Sequence, residues 1–362
     1  MKYAFFLGAG ASKSCGAPLQ GDLFKEYFMI RQEKHKKNTG YDAEHDMERE
    51  IATLFQFMFG IDVDNDDLTV VNFPTFEEVL GLIDLAVMRK QSFKNFEGAH
   101  YNLNSDSRLE KCRQYLTYLM GSLLYDKLHH VDNNHKDLTQ KLKDIGKLSD
   151  CMFLSTNYDI LIDNALSDMA FSPRPNHSPY YGFEFTNYNP EDEISKVPLY
   201  KLHGSLNWLY CPTCETMSLT MYEKGVIRLI RPTGDTQDIV CPQCESLKQP
   251  IIIPPTYFKE YSNHFLNQVW HKAEQDLRKV EKIFFCGYSF PDADMQIKYL
   301  LKRIETNRNG QPLQVYVANG YPKKSLEEKD LERKRFNRFF IQDVNYLEES
   351  FDDLIANLQK YL

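Results

Sequence analysis

No run of this 362-residue chain approaches the ~18 apolar residues that a membrane-crossing helix needs, so no membrane span is expected. No secretory leader is expected either. Lys2, an apolar run and Ala9-Gly10-Ala11 imitate one, but only Tyr3 to Leu7 precede Gly8, against the ~7–15 apolar residues of a leader core. A cytoplasmic location is expected. Positive charge is scarce, with 43 Lys and Arg against 51 Asp and Glu for a net charge of -8, which excludes a generally basic nucleic-acid binder. No direct nucleic-acid binding is expected. Internal repeats and low-complexity tracts are absent, which excludes a solenoid. Two familiar nucleotide motifs are refused as well. A G-x-G-x-x-G loop would need glycine at Lys13, and a Walker loop counted from Gly10 would need glycine at Cys15 and lysine at Gly16. No strand end carries an acidic residue about 20 positions on, which disfavours an ordinary NAD dehydrogenase.

What is present is a globular composition, 42% hydrophobic and 26% charged, with length for roughly two domains. Three times a short apolar strand opens into a polar or glycine turn and then a helix. Tyr3–Leu7 runs into Gly8-Ala9-Gly10-Ala11-Ser12, where glycines would let backbone N–H groups approach a phosphate, although a tight turn without ligand has the same sequence. Cys151–Ser155 runs into Thr156-Asn157-Tyr158-Asp159 and a helix Ile160–Met169. Asp159 stands where a helix N-cap is needed, and Asn157 at a strand's carboxyl end, where open α/β sheets place ligands. Ile283–Cys286 runs into Gly287-Tyr288-Ser289-Phe290-Pro291-Asp292-Ala293-Asp294 and a helix Met295–Ile304, capped by Asp292 or Asp294.

Other segments follow the same logic. Leu19 to Leu148 reads as helical throughout, notably Phe76–Met88 and Arg108–Leu128, with Asp62–Asp67 as an acidic connector. His129, His130 and His135 near Asp132 and Asp137 read as a solvated helix end. Phe171–Val197, including Pro173-Arg174-Pro175 and Tyr180-Tyr181, reads as a long covering loop. Helices are expected over Phe258–Val280 and Phe351–Leu362, and strands over Leu313–Ala318 and from Ile341. Strands alternating with helices predict an α/β fold: a doubly wound, mostly parallel Rossmann-like sheet with a large helical insertion.

Val197–Leu202 delivers His203 to a Gly204-Ser205 turn, and the chain then reaches Cys211-Pro212-Thr213-Cys214. Cys241-Pro242-Gln243-Cys244 follows after 26 residues. Two such pairs present four thiolates tetrahedrally to Zn²⁺, with no open position for substrate, so the metal ligands Cys211, Cys214, Cys241 and Cys244 predict a structural zinc module. Cys15, Cys112, Cys151 and Cys286 read as small buried hydrophobes.

In order and placement, the Gly8 loop with Gly16-Ala17-Pro18, Thr156-Asn157-Tyr158-Asp159, His203-Gly204, the four cysteines and Gly287-Tyr288-Ser289 resemble the sirtuin superfamily. Lys201-Leu202-His203-Gly204-Ser205, Ile253-Pro254-Pro255-Thr256-Tyr257 and Gly287-Tyr288-Ser289-Phe290 look more like the bacterial sirtuin-like NAD hydrolases of anti-phage defence. The deacylases' Asp-Phe-Arg run is replaced by Leu19-Gln20-Gly21, and their Gln-Asn-Ile-Asp is Thr-Asn-Tyr-Asp here. The resemblance implies a core of residues 1–18, 151–208 and 251–362, a helical insertion over 19–150 and a zinc module over 209–250. It implies NAD⁺ as substrate, with Gly8, Ala9, Gly10, Ser12, Pro18, Thr156, Gly287, Ser289 and Asn319 lining the dinucleotide. Asn157 and Asp159 would lie at the nicotinamide ribose, with His203 as base. It further implies a homo-oligomer and, because the chain ends soon after the last sheet elements, a separate sensor or regulator, with a HerA-type ATPase as best candidate. An NAD-dependent protein deacylase and a non-catalytic NAD or ADP-ribose sensor are the alternatives.

Overall fold

The computed structural model describes residues 1–36, 43–94, 96, 105–128, 133–167, 177–188, 195–220, 225–230, 239–252, 263–292, 294–308, 310–320 and 324–362. His129, His130, Asp132, Pro173-Arg174-Pro175, Ala293 and Ile253 to Tyr257 lie outside these residues. Seven strands form one sheet in the order β10 (Val344–Leu347), β9 (Gln314–Ala318), β8 (Lys282–Cys286), β1 (Tyr3–Leu7), β2 (Cys151–Ser155), β4 (Ser195–Lys201) and β3 (His177–Tyr180). Every neighbouring pair is parallel. A parallel sheet is covered on both faces, and its central strands are accordingly continuous apolar runs. All five residues of β1 and of β2 are buried, and Phe5 stacks between Phe153 and Phe284 with ring centroids 5.6 and 5.0 Å away. From β1 the chain adds β2 on one side and later β8 on the other, which makes the sheet doubly wound.

Between β1 and β2 run α1 (Ala9–Lys13), α2 (Leu23–Lys36), α3 (Ala43–Phe59), α4 (Phe76–Met88), α5 (Ser105–Leu128) and α6 (Asn134–Asp144). Helices α2 to α5 enclose a core of their own, around Phe24, Phe28, Phe55, Phe76 and Leu116. Helix α6 instead joins the sheet core through Leu138 and Leu142. His135, in its first turn, is buried against Phe351 at a ring-centroid distance of 5.3 Å, so this histidine is a core residue rather than part of a solvated helix end.

A second, three-stranded antiparallel sheet has the order β6 (Thr216–Leu219), β5 (Gly204–Cys211) and β7 (Gln249–Ile252). The expected limits of the zinc module at 208/209 and 250/251 fall inside β5 and β7. Helix α8 (Gly225–Ile230) packs on α5, where a Cβ on Gly121 would stand 3.2 Å from Val226. The remaining elements are α7 (Leu161–Leu166), α9 (His264–Leu277), α10 (Met295–Thr306), α11 (Leu326–Phe339) and α12 (Phe351–Ala356). Strand β3 corrects the expectation of a loop through Tyr180: Pro179 is tolerated because β3 is the sheet edge. No described helix is long and apolar enough to cross a membrane.

Candidate functional site

The carboxyl ends of five strands stand in one register row. Ala318 pairs with Cys286, Cys286 with Leu7, Leu7 with Ser155 and Ser155 with Lys201. Four interstrand steps of about 4.8 Å make this edge about 19 Å long. The residues just beyond it are Asn319, Gly287, Gly8, Thr156 and Leu202, of which Asn319, Gly287 and Thr156 border a cavity of about 450 Å³. Its lining includes Ala9, Gly10, Thr156, Asn157, His203, Gly287, Ser289 and Asn319 of the residues singled out from sequence. Gly8, Ser12, Asp159 and Pro18 are not in that lining.

Ser12 and Asp159 sit behind the wall and hold it. Asn157 Nδ2 donates to the Gly8 carbonyl at 2.8 Å and to Ser12 Oγ at 2.9 Å, and Ser12 Oγ donates to Asp159 Oδ2 at 2.7 Å. Asp159 Oδ1 accepts the Leu161 N–H at 3.1 Å at the start of α7. The buried Lys201 ammonium donates to the Asp159 carbonyl and pairs with Asp163 Oδ2 at 3.2 Å. Asp163 Oδ1 accepts from Tyr181 and Asn207 at 2.7 and 3.2 Å. Each carboxylate is thus hydrogen-bonded, as burial requires. Asp159 combines the helix-start role with support of Asn157, and it does not itself face the cavity.

The glycines of the first turn serve close backbone packing. The N–H groups of Gly8 and Gly10 donate to the carbonyls of Cys286 and Gly287 at 2.9 and 2.8 Å, and that of Ala11 to the Gly8 carbonyl. A Cβ on Gly8 would stand 2.6 Å from the Gly287 carbonyl oxygen, and one on Gly287, where φ is +63°, 2.1 Å from the Ala11 nitrogen. Two strand-to-helix turns therefore interlock here, so these N–H groups do not form the phosphate cradle expected from the sequence. Pro18 stands just outside, and the neighbouring Leu19, Gln20 and Gly21 border the cavity.

His203 is 2% exposed, placed by the connection from β4 to β5. Gly204 has φ +84°, and a Cβ there would lie 2.0 Å from the Ile251 carbonyl oxygen. The His203 Nε2 stands 3.8 Å from Asp294 Oδ1, with Asp294 3% exposed. Asp294 occupies the N-cap position of α10 but makes no side-chain cap bond; its Oδ2 accepts the Tyr288 phenol at 2.7 Å instead. Burial, followed by the Asp294 carboxylate, pushes the Tyr288 phenol well above its ordinary pKa, so it remains a donor. Asp292 pairs with Lys298 at 2.7 Å.

A family model described as the SIR2-like domain matches residues 151–342, more than half of the chain. The chain belongs to the SIR2-like domain family. No curated protein matches it. Among solved structures, one of SIR2 in complex with the inhibitor EX-527, 2′-O-acetyl-ADP-ribose and a deacetylated p53 peptide aligns at a TM-score of 0.40 and 12% identity, over 99% of this chain and 93% of that chain.

In this SIR2-like protein the four cysteine sulfurs all lie within 4.8 Å of one another. Cys211 Sγ is 3.4 Å from Cys244 Sγ, and Cys214 Sγ is 3.9 Å from Cys241 Sγ. A tetrahedral Zn²⁺ with arms of about 2.3 Å has sulfur–sulfur edges of about 3.8 Å, so the donor set fits that ion. Hydrogen bonds from Ser246 hold the Cys244 thiol down to about 6, favouring the thiolate that a metal takes. Cys15, Cys112, Cys151 and Cys286 are buried, and burial raises the thiols of Cys15, Cys151 and Cys286.

Several cavity residues escaped the sequence reading: Glu77, Tyr288, Asp294, Lys324, Glu328 and Glu332. Asp294 had a signal, because Pro291-Asp292-Ala293-Asp294 offers two acidic residues where one cap suffices. Glu332 had none, since α11 is charged along most of its length and reads as a solvated surface.

Proposed function

We propose that this protein is an NAD⁺ glycohydrolase that releases nicotinamide and ADP-ribose, acting as an effector of anti-phage defence by depleting NAD⁺. Membership of the SIR2-like domain family supports an NAD-related activity. The observation that carries the finer reading is the register row of about 19 Å, in which the β2 and β4 ends that lead to Asn157 and His203 lie on one side and the β9 end that leads to Asn319 closes the other, all three residues bordering one cavity. That edge accommodates two nucleoside halves joined through a diphosphate, with the nicotinamide ribose at the His203 end.

The reaction breaks the bond from C1′ of the ribose to the nicotinamide nitrogen, and the electron pair leaves with neutral nicotinamide. Water forms the new bond to C1′. Asn157 has both amide hydrogens committed to Gly8 and Ser12, which leaves Oδ1 to accept from a ribose hydroxyl or that water. His203 takes the water's proton and passes it to solvent; a neutral imidazole is the side chain suited to accept and release a proton in this way. The Asp294 carboxylate, 3.8 Å from His203 Nε2, favours the protonated imidazole that forms, and the Tyr288 phenol holds Asp294. Zn²⁺ at the four cysteines would hold β5 to the segment carrying Cys241 and Cys244, and it has no role in the chemical steps.

Chromatography of the purified chain with NAD⁺ tests this. Equal release of nicotinamide and ADP-ribose without an acylated peptide is expected, with losses of about 100-fold or more in His203→Ala and Asn157→Ala. A requirement for acyl-peptide would favour the deacylase instead, and binding without turnover the sensor module. Because unrestrained NAD⁺ loss kills a cell, we propose control in trans by a regulator, a HerA-type ATPase being the best candidate, within a homo-oligomer assembled through the helical segment. A HerA-type ATPase that leaves the NAD⁺ rate unchanged, or a monomeric mass in sedimentation, would remove those two parts.

A further inference from the structure

Behind the wall of the cavity lies an ion pair that takes no part in the chemical steps. Lys201 is 0% exposed and its partner Asp163 2%. Neither borders the cavity, nor do Tyr181 and Asn207, the two residues that donate to Asp163 Oδ1. A fully buried ion pair adds little net stability, because the desolvation of two charges offsets their attraction; it is better suited to fixing one arrangement of the segments it joins. Those segments are the two that carry Asn157 and His203. Lys201 stands opposite Ser155 in the β2–β4 register, with the Leu202 N–H donating to the Ser155 carbonyl at 2.9 Å, and its ammonium reaches the Asp159 carbonyl. One residue thus clips both ends of the segment 155–159, with Asn157 at its centre. Asp163 in turn joins Lys201, through Oδ2 at 3.2 Å, to Asn207, through Oδ1 at 3.2 Å. His203 lies between those two residues in the chain, so its segment too is fastened at both ends to the same carboxylate.

We infer that Lys201 and Asp163 are positioning residues for the reaction: the pair sets Asn157 and His203 relative to each other without touching the dinucleotide. The inference rests on the assignment of those two residues to NAD⁺ cleavage and adds a requirement behind them. An error of about 1 Å in the placing of reacting groups can cost on the order of 100-fold in rate, while the many contacts that bind a dinucleotide average over it.

Steady-state release of nicotinamide from NAD⁺ by the full chain tests this, with calorimetric titration of ADP-ribose and thermal melting alongside. Lys201→Met with Asp163→Asn removes both charges together and leaves no single buried charge behind. The double variant is expected to melt within about 5 °C of wild type and to bind ADP-ribose within about threefold, yet to lose at least about 10-fold in kcat. A lesion that merely loosened the fold would lower kcat by the same factor whether or not Asn157 is present. The placing of Asn157 relative to His203, by contrast, ceases to matter once Asn157 is gone. The same two substitutions in the N157A protein should therefore lower kcat by less than about threefold. A folded double variant with kcat within about tenfold of wild type overturns the inference, and so does an equal loss in both backgrounds. Should the double variant not fold, Tyr181→Phe, which takes one donor from Asp163 and retains the ring, carries the same comparison. A loss of about threefold or more confined to the chain with Asn157 is then expected, and no loss overturns the inference. All of these results leave the reading of NAD⁺ cleavage standing, whereas a wild-type chain that releases no nicotinamide removes that reading and the inference together.

Discussion

Asn157 is tied to the fold as tightly as to any ligand, because its two amide hydrogens join the end of β2 to the turn after β1. Asn157→Ala should therefore lower stability by about 1–2 kcal/mol in urea unfolding in addition to its effect on turnover. Asp294→Asn keeps the size of the side chain but removes the charge beside His203, and should lower kcat about 10-fold or more at unchanged folding, with Tyr288→Phe milder. His135 gives a prediction independent of function. Burial depresses its pKa to about 4, so the folded chain holds it neutral while the unfolded chain protonates near 6.5. The unfolded state binds more protons between those values, and stability falls as pH falls through that window. About 2 kcal/mol should be lost from this residue between pH 7 and pH 5, and His135→Gln should flatten that part of the pH–stability curve. A wild-type curve level from pH 7 to 5 would contradict it.

At the scale of elements, the turns after β1, β4 and β8 decide where the site stands. Gly204 and Gly310 both have a left-handed φ, +84° and +81°, but only Gly204 is pressed against backbone, where a Cβ would stand 2.0 Å from the Ile251 oxygen. Gly310→Ala should cost about 1 kcal/mol and Gly204→Ala about 3 kcal/mol or more, measured as the difference in unfolding midpoint. β1 and β2 were legible to the residue, because a strand buried on both faces is an unbroken apolar run. β3 was not, since its stability comes from register with β4 rather than from its own His-Ser-Pro-Tyr sequence. β5 and β6 were hidden for a related reason: their cross-strand pairs, Trp208 with Leu219 and Cys211 with Thr216, exist only once the cysteine turn closes.

The whole molecule depends on that closure. Purified protein should carry about one Zn²⁺ per chain by elemental analysis, and chelation or Cys211→Ser with Cys244→Ser should lower the melting temperature, taking turnover with it through β5 and His203. Turnover that survives while the metal is stripped and the melting point drops would separate the zinc turn from the site. Helices α2 to α5 form a second core, and Glu77 of α4 borders the cavity together with Leu19, Gln20 and Gly21 of the turn before α2, so the helical segment contributes to the site's wall. The sequence by itself determined the alternating strands and helices, the parallel sheet, the four-cysteine set and the strand ends carrying Asn157 and His203. Those are local matters of apolar runs, glycine turns and ligand spacing. Only the tertiary structure decided that Asp159 supports the wall from behind, that the glycine N–H groups lock two turns together, and that Asp294 and Glu332 face the cavity. Burial and partner choice are set by elements far apart in the chain, and for Glu332 in particular nothing in a charged helix distinguishes the one carboxylate that folding removes from water.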